Sequence, residues 1–376
     1  MKRILLTTVL GLLSLSSFSR EERGDWGFSL EEGTSNLRIG GRLQGVAEYL
    51  PNKGAKDLYL RRARVNLQYE TQTFHLIYVE LRNDNSNRGD TGERNLFIGD
   101  AFYEVPLDYG IIENLTLFRS KVDVSYSQSS SSKNLINPTR ARVSDFAANF
   151  MVHNRRATNI QINGGTEKTT FQLVISDGIQ KDEIDVPFGT TTVSSIKEQS
   201  LTFGGKFRSY LWNPGEKAKL QESYYGAMKT FSLGLGYFYN NDVTFGLSDG
   251  RTLSRSRQLY NFELSFAYNN FRLLGEAFYF KGDTLNLSQS RFGNSWGSYF
   301  RAEYIMGKIA PYFGLNSFKR DETNENSFEH TQLVGINYYA NTKSLRYGIS
   351  FRNYEYGKAL SNQDSQEIQT YIMMDY

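Results

Sequence analysis

The sequence predicts an all-β chain: a transmembrane antiparallel β-barrel of about sixteen strands, with long extracellular loops and short periplasmic turns. Three observations predict it. Segments with strict two-residue alternation recur along most of the 376 residues. The connections between them alternate in length. The N-terminus reads as an export signal.

Leu259–Phe280 shows the alternation most plainly. Tyr260, Phe262, Leu264, Phe266 and Tyr268 take every second position, with Asn261, Glu263, Ser265 and Ala267 between them. That period belongs to a strand with one face in an apolar medium and the other facing something polar. Asn269-Asn270 turns the chain, since Asn tolerates left-handed backbone angles. The return run puts Phe271, Leu273, Gly275, Ala277 and Tyr279 on one side and Arg272 and Glu276 on the other. Each strand has the roughly ten residues that cross a bilayer at a tilt, and each ends in an aromatic.

In chain order, the first strand is Leu37–Tyr49, with Arg38, Arg42, Gln44 and Glu48 inward. The second is Leu58–Glu70, where Ala63, Val65, Leu67 and Tyr69 oppose Arg62, Arg64, Asn66 and Gln68. Phe74–Arg82 follows without a definable register, because Phe74, Ile77, Val79 and Leu81 do not share a face. Then come Leu96–Val105, Asn114–Val122, Arg155–Asn163, Thr169–Ser176 and Ser200–Ser209, the last with Thr202, Lys206 and Arg208 on one face. Thr230–Tyr239, the opening hairpin, Ser298–Met306, Ile309–Phe318, Glu329–Tyr339, Ser344–Tyr354 and Gln366–Tyr376 complete the set.

The tight connections are Thr71–Thr73, Gly164–Lys168, Asn269-Asn270, Gly307-Lys308 and Ala340–Lys343. The long polar ones are Asn83–Asn95, Asp123–Asn154, Asp177–Gln199, Asn240–Gln258, Lys281–Gly297 and Glu355–Ser365. This rhythm is that of an outer-membrane barrel. Leu211–Ala227, long on the short side, is the exception. The last strand ends in Tyr376, an aromatic terminus typical of bacterial barrels.

Met1–Ser19 reads as a secretory signal peptide: Lys2 and Arg3, an apolar run Ile4–Leu15, then small Ser17 and Ser19 around Phe18. Residues 20–36 form a polar leader and 37–376 the barrel. A mean hydropathy of −0.50 excludes a bundle of membrane helices but not a barrel, in which only alternate residues meet lipid. The chain has 25 Tyr and 26 Phe and no Cys, so its fold needs no disulfide. Without Lys2 and Arg3 there are 41 basic residues against 40 acidic, which argues against bulk nucleic-acid binding.

In a barrel of this size the lumen is water-filled, so inward charges are expected to be solvated. The predicted inward cations are Arg38, Arg42, Arg62, Arg64, Arg119, Lys206, Arg208, Arg301, Arg346 and Arg352; inward acids include Glu48, Glu104, Glu263, Glu276 and Glu303. Ladders of Arg and Lys select anions, and the arginine fork suits oxyanions. The alternative is that these charges pair across the lumen and brace the wall. Adjacent Arg61-Arg62 and Arg155-Arg156 are expected to face opposite ways, one of each pair snorkelling outward. The third loop, residues 123–154 with Arg140, Arg142 and Asp145, is the candidate constriction; its alternative is an exposed loop. The residues selected for the pore and its anions are Arg62, Arg64, Arg119, Lys121, Arg140, Arg142, Lys206, Arg208, Arg346 and Arg352.

Five pieces carry a resemblance. They are Leu60-Arg61-Arg62-Ala63-Arg64-Val65, Asp100-Ala101-Phe102-Tyr103-Glu104, Leu117-Phe118-Arg119-Ser120-Lys121, Arg142-Val143-Ser144-Asp145 and Gly335-Ile336-Asn337-Tyr338-Tyr339 followed by Asn341. Together they resemble the phosphate-selective porin O/P family, over about Leu37 to Tyr376. Where that family has Pro soon after the lysine this chain has Asp123, and of the family's several pore lysines Lys121 is the best match. The resemblance implies sixteen strands, a homotrimer and a phosphate-like solute.

Little points to catalysis. His75, His153 and His330 are scattered without metal spacing, and no Ser–His–acid triad can be assigned. Asp84, Asn85, Asn87 and Asp90 lack the EF-hand spacing. Gly234-Leu235-Gly236 lies inside a strand and does not cradle phosphate. The expected protein is therefore an outer-membrane diffusion pore for small hydrophilic solutes, anion-preferring, with outer-membrane lipid as its surroundings and no cofactor. The rival is a non-conducting barrel used as a surface adhesin or receptor.

Overall fold

The computed structural model describes residues 27–32, 35–86, 96–131, 134–151, 156–177, 186–188, 191–247, 249–286, 291–320, 322, 327–341, 345–357 and 364–375. The expected signal peptide, Asn87, Asp90, His153, Arg155 and Tyr376 lie outside the described residues. The strands are β1 (Gly27–Glu32), β2 (Ser35–Leu50), β3 (Ala55–Glu70), β4 (Leu76–Ser86), β5 (Phe97–Tyr109), β6 (Ile112–Lys121), β7 (Arg156–Thr166), β8 (Thr169–Ser176), β9 (Val186–Phe188), β10 (Thr191–Gln199), β11 (Thr202–Trp212), β12 (Met228–Leu247), β13 (Thr252–Asn269), β14 (Phe271–Asn286), β15 (Arg291–Tyr304), β16 (Ile309–Lys319), β17 (Phe328–Asn341), β18 (Leu345–Tyr356) and β19 (Ser365–Asp375).

All but β1, β9 and β10 form a closed, antiparallel sixteen-stranded barrel. β8 pairs with β11, and β19 with β2 closes the ring. All sixteen expected strands fall on barrel strands. Closure removes the sheet edges that would otherwise expose unpaired backbone groups.

The alternation holds strand by strand. On β13 the side chains of Asn261, Glu263, Ser265 and Ala267 are buried, while Tyr260, Phe262 and Tyr268 are exposed on the outside. On β17 Leu333, Asn337 and Tyr339 point in, and Val334, Ile336 and Tyr338 point out. Two aromatic groups bracket this outer band. Tyr237, Tyr260 and Tyr279 neighbour one another toward one end. Trp212 stacks near Phe266 and Tyr268 at the other. Eight residues separate Tyr260 from Tyr268, roughly 27 Å along an antiparallel strand, against a typical apolar band of about 25 Å.

Four departures have local causes. Phe74 sits in a turn at φ 61°, before β4 begins at Leu76. Without it, Ile77, Val79 and Leu81 share one parity, which removes the register conflict. Part of the expected leader is strand, β1 folding back along the first residues of β2. Residues 240–258, expected as a loop, are mostly ladder: past an irregularity between Asn240 and Val243, β12 and β13 stay paired to Gly246 and Thr252. Within the expected loop 177–199, β9 and β10 form a hairpin whose second strand pairs with that same extension of β12. At the opposite end, Asn269 adopts φ 52°, the left-handed angle that the Asn-Asn turn requires.

Candidate pore constriction

Residues 122–131 and 134–151, between β6 and β7, lie inside the barrel. They carry two helices, α1 (Tyr126–Ser129) and α2 (Arg142–Met151). The wall supplies a seat for them. Phe280 and Phe318 face inward, against the apolar-out rule, and Phe146 of α2 packs on both with centroids 4.9 and 4.8 Å away. Phe150 meets Phe280 at 5.3 Å. Polar anchors complete the fit. Ser125 Oγ and the Tyr126 N–H donate to Glu276 at 2.6 and 2.9 Å, and the Val143 N–H donates to Asn316 Oδ1 at 3.1 Å.

Beneath α1 the wall holds a compact ion cluster. Lys206 Nζ is 2.5 Å from Glu263, and Arg208 Nε is 2.6 Å from the same carboxylate. Arg208 also reaches Asp123 at 3.3 Å. Burial alone would raise the Asp123 carboxyl, but Lys206 and Arg208 outweigh it and hold it below its ordinary value. These groups are covered by the inward loop, with Glu263 fully buried. The expectation of solvated inward charges fails here, because the lumen is filled by polypeptide at this height. Such pairs cost desolvation and hold geometry more than they add stability.

The other selected cations divide by partner. Arg64 pairs with Glu80 at 3.2 Å and Asp84 at 2.8 Å, Arg352 with Glu367 at 2.9 Å, and Arg142 with Glu329 at 2.9 Å. Asp84 is therefore a strand residue committed to arginine. Arg156, not selected from sequence, is fully buried against Asp100 and Glu80. Arg346 bonds to the Leu135 carbonyl and to Ser223 and Tyr339. Arg119 departs from its expected place. It pairs in register with Ala101 and Thr158, on the face opposite the buried Thr116 and Ser120, and donates to the Gly99 carbonyl at 3.0 Å. The small polar residues hold the inward parity on β6, leaving Arg119 off the lumenal face. Lys121 is half-buried at the end of that strand, beside Arg156.

Arg61 and Arg62 correct another expectation. Gln44 of β2 pairs with Arg62 and Gly45 with Leu60, so Arg61 is the extra residue of a bulge. A bulge re-aims a side chain. Both arginines donate to the Pro138 carbonyl, at 3.2 and 3.3 Å. Arg140, two residues further on, donates to the Ser127 and Ser130 carbonyls. Among the described residues, Arg61, Arg62, Arg140 and Arg346 form no ion pair.

A cavity of about 320 Å³ opens toward the long-connection end, lined by Arg140, Arg142, Asp145, Arg301, Arg352 and Tyr354. A second, of about 20 Å³, lies toward the short-turn end, with Arg42, Gln221, Tyr225, Arg346 and Asp375 among its walls. On β17 and β18 the residues between the two belong to a hydrogen-bonded layer. Asn137 donates to Tyr312 and Ser350, Asn337 to the Ile136 carbonyl and Glu303, and Tyr371 to Asn337. Gly348 makes room for it, since a Cβ there would stand 2.2 Å from the Tyr371 ring.

An outward Ser–His pair exists that sequence could not reveal, because its members meet only through strand register. Ser317 Oγ is 3.1 Å from His330 Nδ1, and His330 is paired with Glu355. Acyl transfer also needs converging donors for an oxyanion. Here both residues sit within ladders paired on each side, so the contact is a cross-strand hydrogen bond.

The closed sixteen-stranded antiparallel barrel matches the fold of outer-membrane porin structures. OmpF of Salmonella typhi, in a complex with daunomycin, matches with a TM-score of 0.60 at 12% identity, over 93% of this chain and all of that one. OmpT of Vibrio cholerae matches at 0.56 and 8% identity over 93% of this chain and all of its own. A trimer form of in-vitro folded OmpT matches at 0.54 and 9%, over 91% of this chain and 100% of that chain. No protein-family model and no curated protein sequence matches the chain.

Proposed function

We propose that the chain is an outer-membrane porin through which small hydrophilic solutes diffuse passively, with a preference for anions. The observation that carries the preference is the convergence of Arg61, Arg62 and Arg140 around residues 138–140 without an ion-pair partner among the described residues. A fixed cationic cluster beside the path lowers the barrier for a hydrated anion. The arginine forks favour oxyanions such as phosphate or carboxylates. The outward apolar band and its aromatic borders support a place in the outer membrane, reached by export on the cleaved segment 1–19. Three copies form the working unit in this reading, and no reaction is catalysed.

A second reading, a non-conducting surface barrel, is favoured by one observation: the hydrogen-bonded layer between the two cavities. Single-channel current from purified protein in a planar bilayer separates the two, with the reversal potential taken under a KCl gradient. Discrete current steps with an anion-side potential are expected. A cation-side potential overturns the anion preference, and the absence of current from a folded barrel overturns the pore.

A further inference from the structure

Residues 213–227 connect β11 to β12 at the end of the barrel where every other described connection is short. Their base is tied to the rim: the Glu216 carboxylate accepts from the Lys229 N–H at 2.6 Å, and Lys217 Nζ donates to the Thr166 carbonyl at 2.7 Å. The rest of the segment turns into the lumen. Leu220, Glu222 and Ser223 are buried there. Glu222 pairs with Arg301 at 2.8 Å, and Ser223 Oγ donates to Glu303 at 2.7 Å. Both partners lie on β15, on the inner wall.

The segment also holds the third loop. The Ser223 N–H donates to the Asn134 carbonyl at 2.8 Å, and the Tyr126 hydroxyl donates to the Leu220 carbonyl. Two segments that enter from opposite ends therefore meet inside the barrel. One Glu222 oxygen has no hydrogen-bond partner although it is buried. That is a cost a purely structural turn would avoid. A two-residue turn would close this hairpin, so the length of the segment is not needed to join the strands.

We infer that residues 213–227 are a second constriction element of the pore, which enters from the short-turn end and, by holding the third loop, sets the size of solute that passes. The inference rests on the diffusion-pore reading. It adds an element on the side that faces away from the solute's point of arrival, with Glu222 and Ser223 as its positioning residues.

The test compares wild type with E222Q/S223A, which removes the charge of one wall anchor and the hydroxyl of the other, and with a variant in which residues 214–226 are replaced by a two-residue turn. Each is first shown to migrate as a folded, heat-modifiable barrel. Single-channel conductance is expected to rise by about twofold or more in the shortened variant and by less in E222Q/S223A, because ion flux follows the narrowest section. Since the chain has no cysteine, Gln221→Cys adds a single reactive site in the smaller cavity. A charged, bulky methanethiosulfonate reagent should then reduce current when added on the short-turn side. Unchanged conductance in both folded variants, or a Q221C current indifferent to the reagent, overturns the inference. Wild-type current tests the pore itself. Current in the shortened variant but none in wild type keeps the second constriction and makes the native barrel a closed one; no current in either overturns both.

Discussion

Arg61 and Arg62, adjacent in the chain, donate to the same carbonyl oxygen, that of Pro138. Neighbours in a regular strand cannot do this, because their side chains leave opposite faces. The bulge at Arg61 supplies the extra residue that brings both guanidinium groups to the third loop.

That arrangement makes selectivity sensitive to Arg62. Replacing Arg62 by Glu should move the reversal potential under a KCl gradient toward the cation side. Replacing Arg119 by Glu, off the lumenal face, should move it far less.

Glu276 is the polar anchor of α1, accepting from Ser125 Oγ and the Tyr126 N–H. Buried hydrogen bonds to a charged group contribute about 1.5–3 kcal/mol each. Glu276→Gln should therefore loosen the loop while the barrel stays closed. Limited proteolysis within residues 123–151 is expected to quicken, with urea-induced unfolding of the strands little changed.

Asp123 ties the same loop to Lys206 and Arg208, and its carboxyl is held below the ordinary 3.8. A depressed acid contributes stability that is complete above its unfolded value and is lost as pH falls through the folded one. Loop-dependent current fluctuations should therefore stay constant on lowering the pH to about 4 and grow below it. Asp123→Asn should show the acid behaviour already at neutral pH.

The aromatic seat should matter more than either ion. Phe280 is fully buried between Phe146, Phe150 and Phe318. Truncation of a buried Phe to Ala costs about 3–5 kcal/mol. Phe280→Ala is expected to lower the thermal unfolding midpoint and expose α2 to protease.

On the outside, Val334 stands at mid-strand and is half exposed. If that face meets lipid, Val334→Arg costs about 2–4 kcal/mol. Folding titrations in lipid vesicles should show the loss, whereas in an aqueous setting the substitution would be nearly neutral.

The strands were legible because alternation and turn residues act locally. Tyr260 to Tyr268, Asn269 and the inward set Thr202, Lys206 and Arg208 all stand where the pattern puts them. What escaped was anything that depends on another part of the chain. The bulge at Arg61 is a matter of pairing with β2. α2 carries Phe146 and Phe150 because Phe280 and Phe318 wait more than a hundred residues away. The ladder beyond Asn240 begins after the polar run Asn240-Asn241-Asp242, which reads as a turn, and the alternation of Val243, Phe245 and Leu247 past it is too short to outweigh that signal. The candidate cations could be counted in the sequence, but whether each has a carboxylate beside it depends on strand register. Leu211–Ala227 was visible as an anomaly of length, and only its contacts show where the extra residues go.

Asn137 of the third loop donates to Ser350, 213 positions away, and accepts from Arg352. A segment from the first half of the chain is thus stitched to strands made last. Contacts of such span form slowly, since the intervening chain must first lose its freedom. They also favour a sequence of events. Once β19 has zipped to β2, the wall is complete and the loop has no side entrance. From then on its one way in is the barrel mouth, and lodging it beforehand spares that passage, like a ship's mast raised before the bottle is sealed.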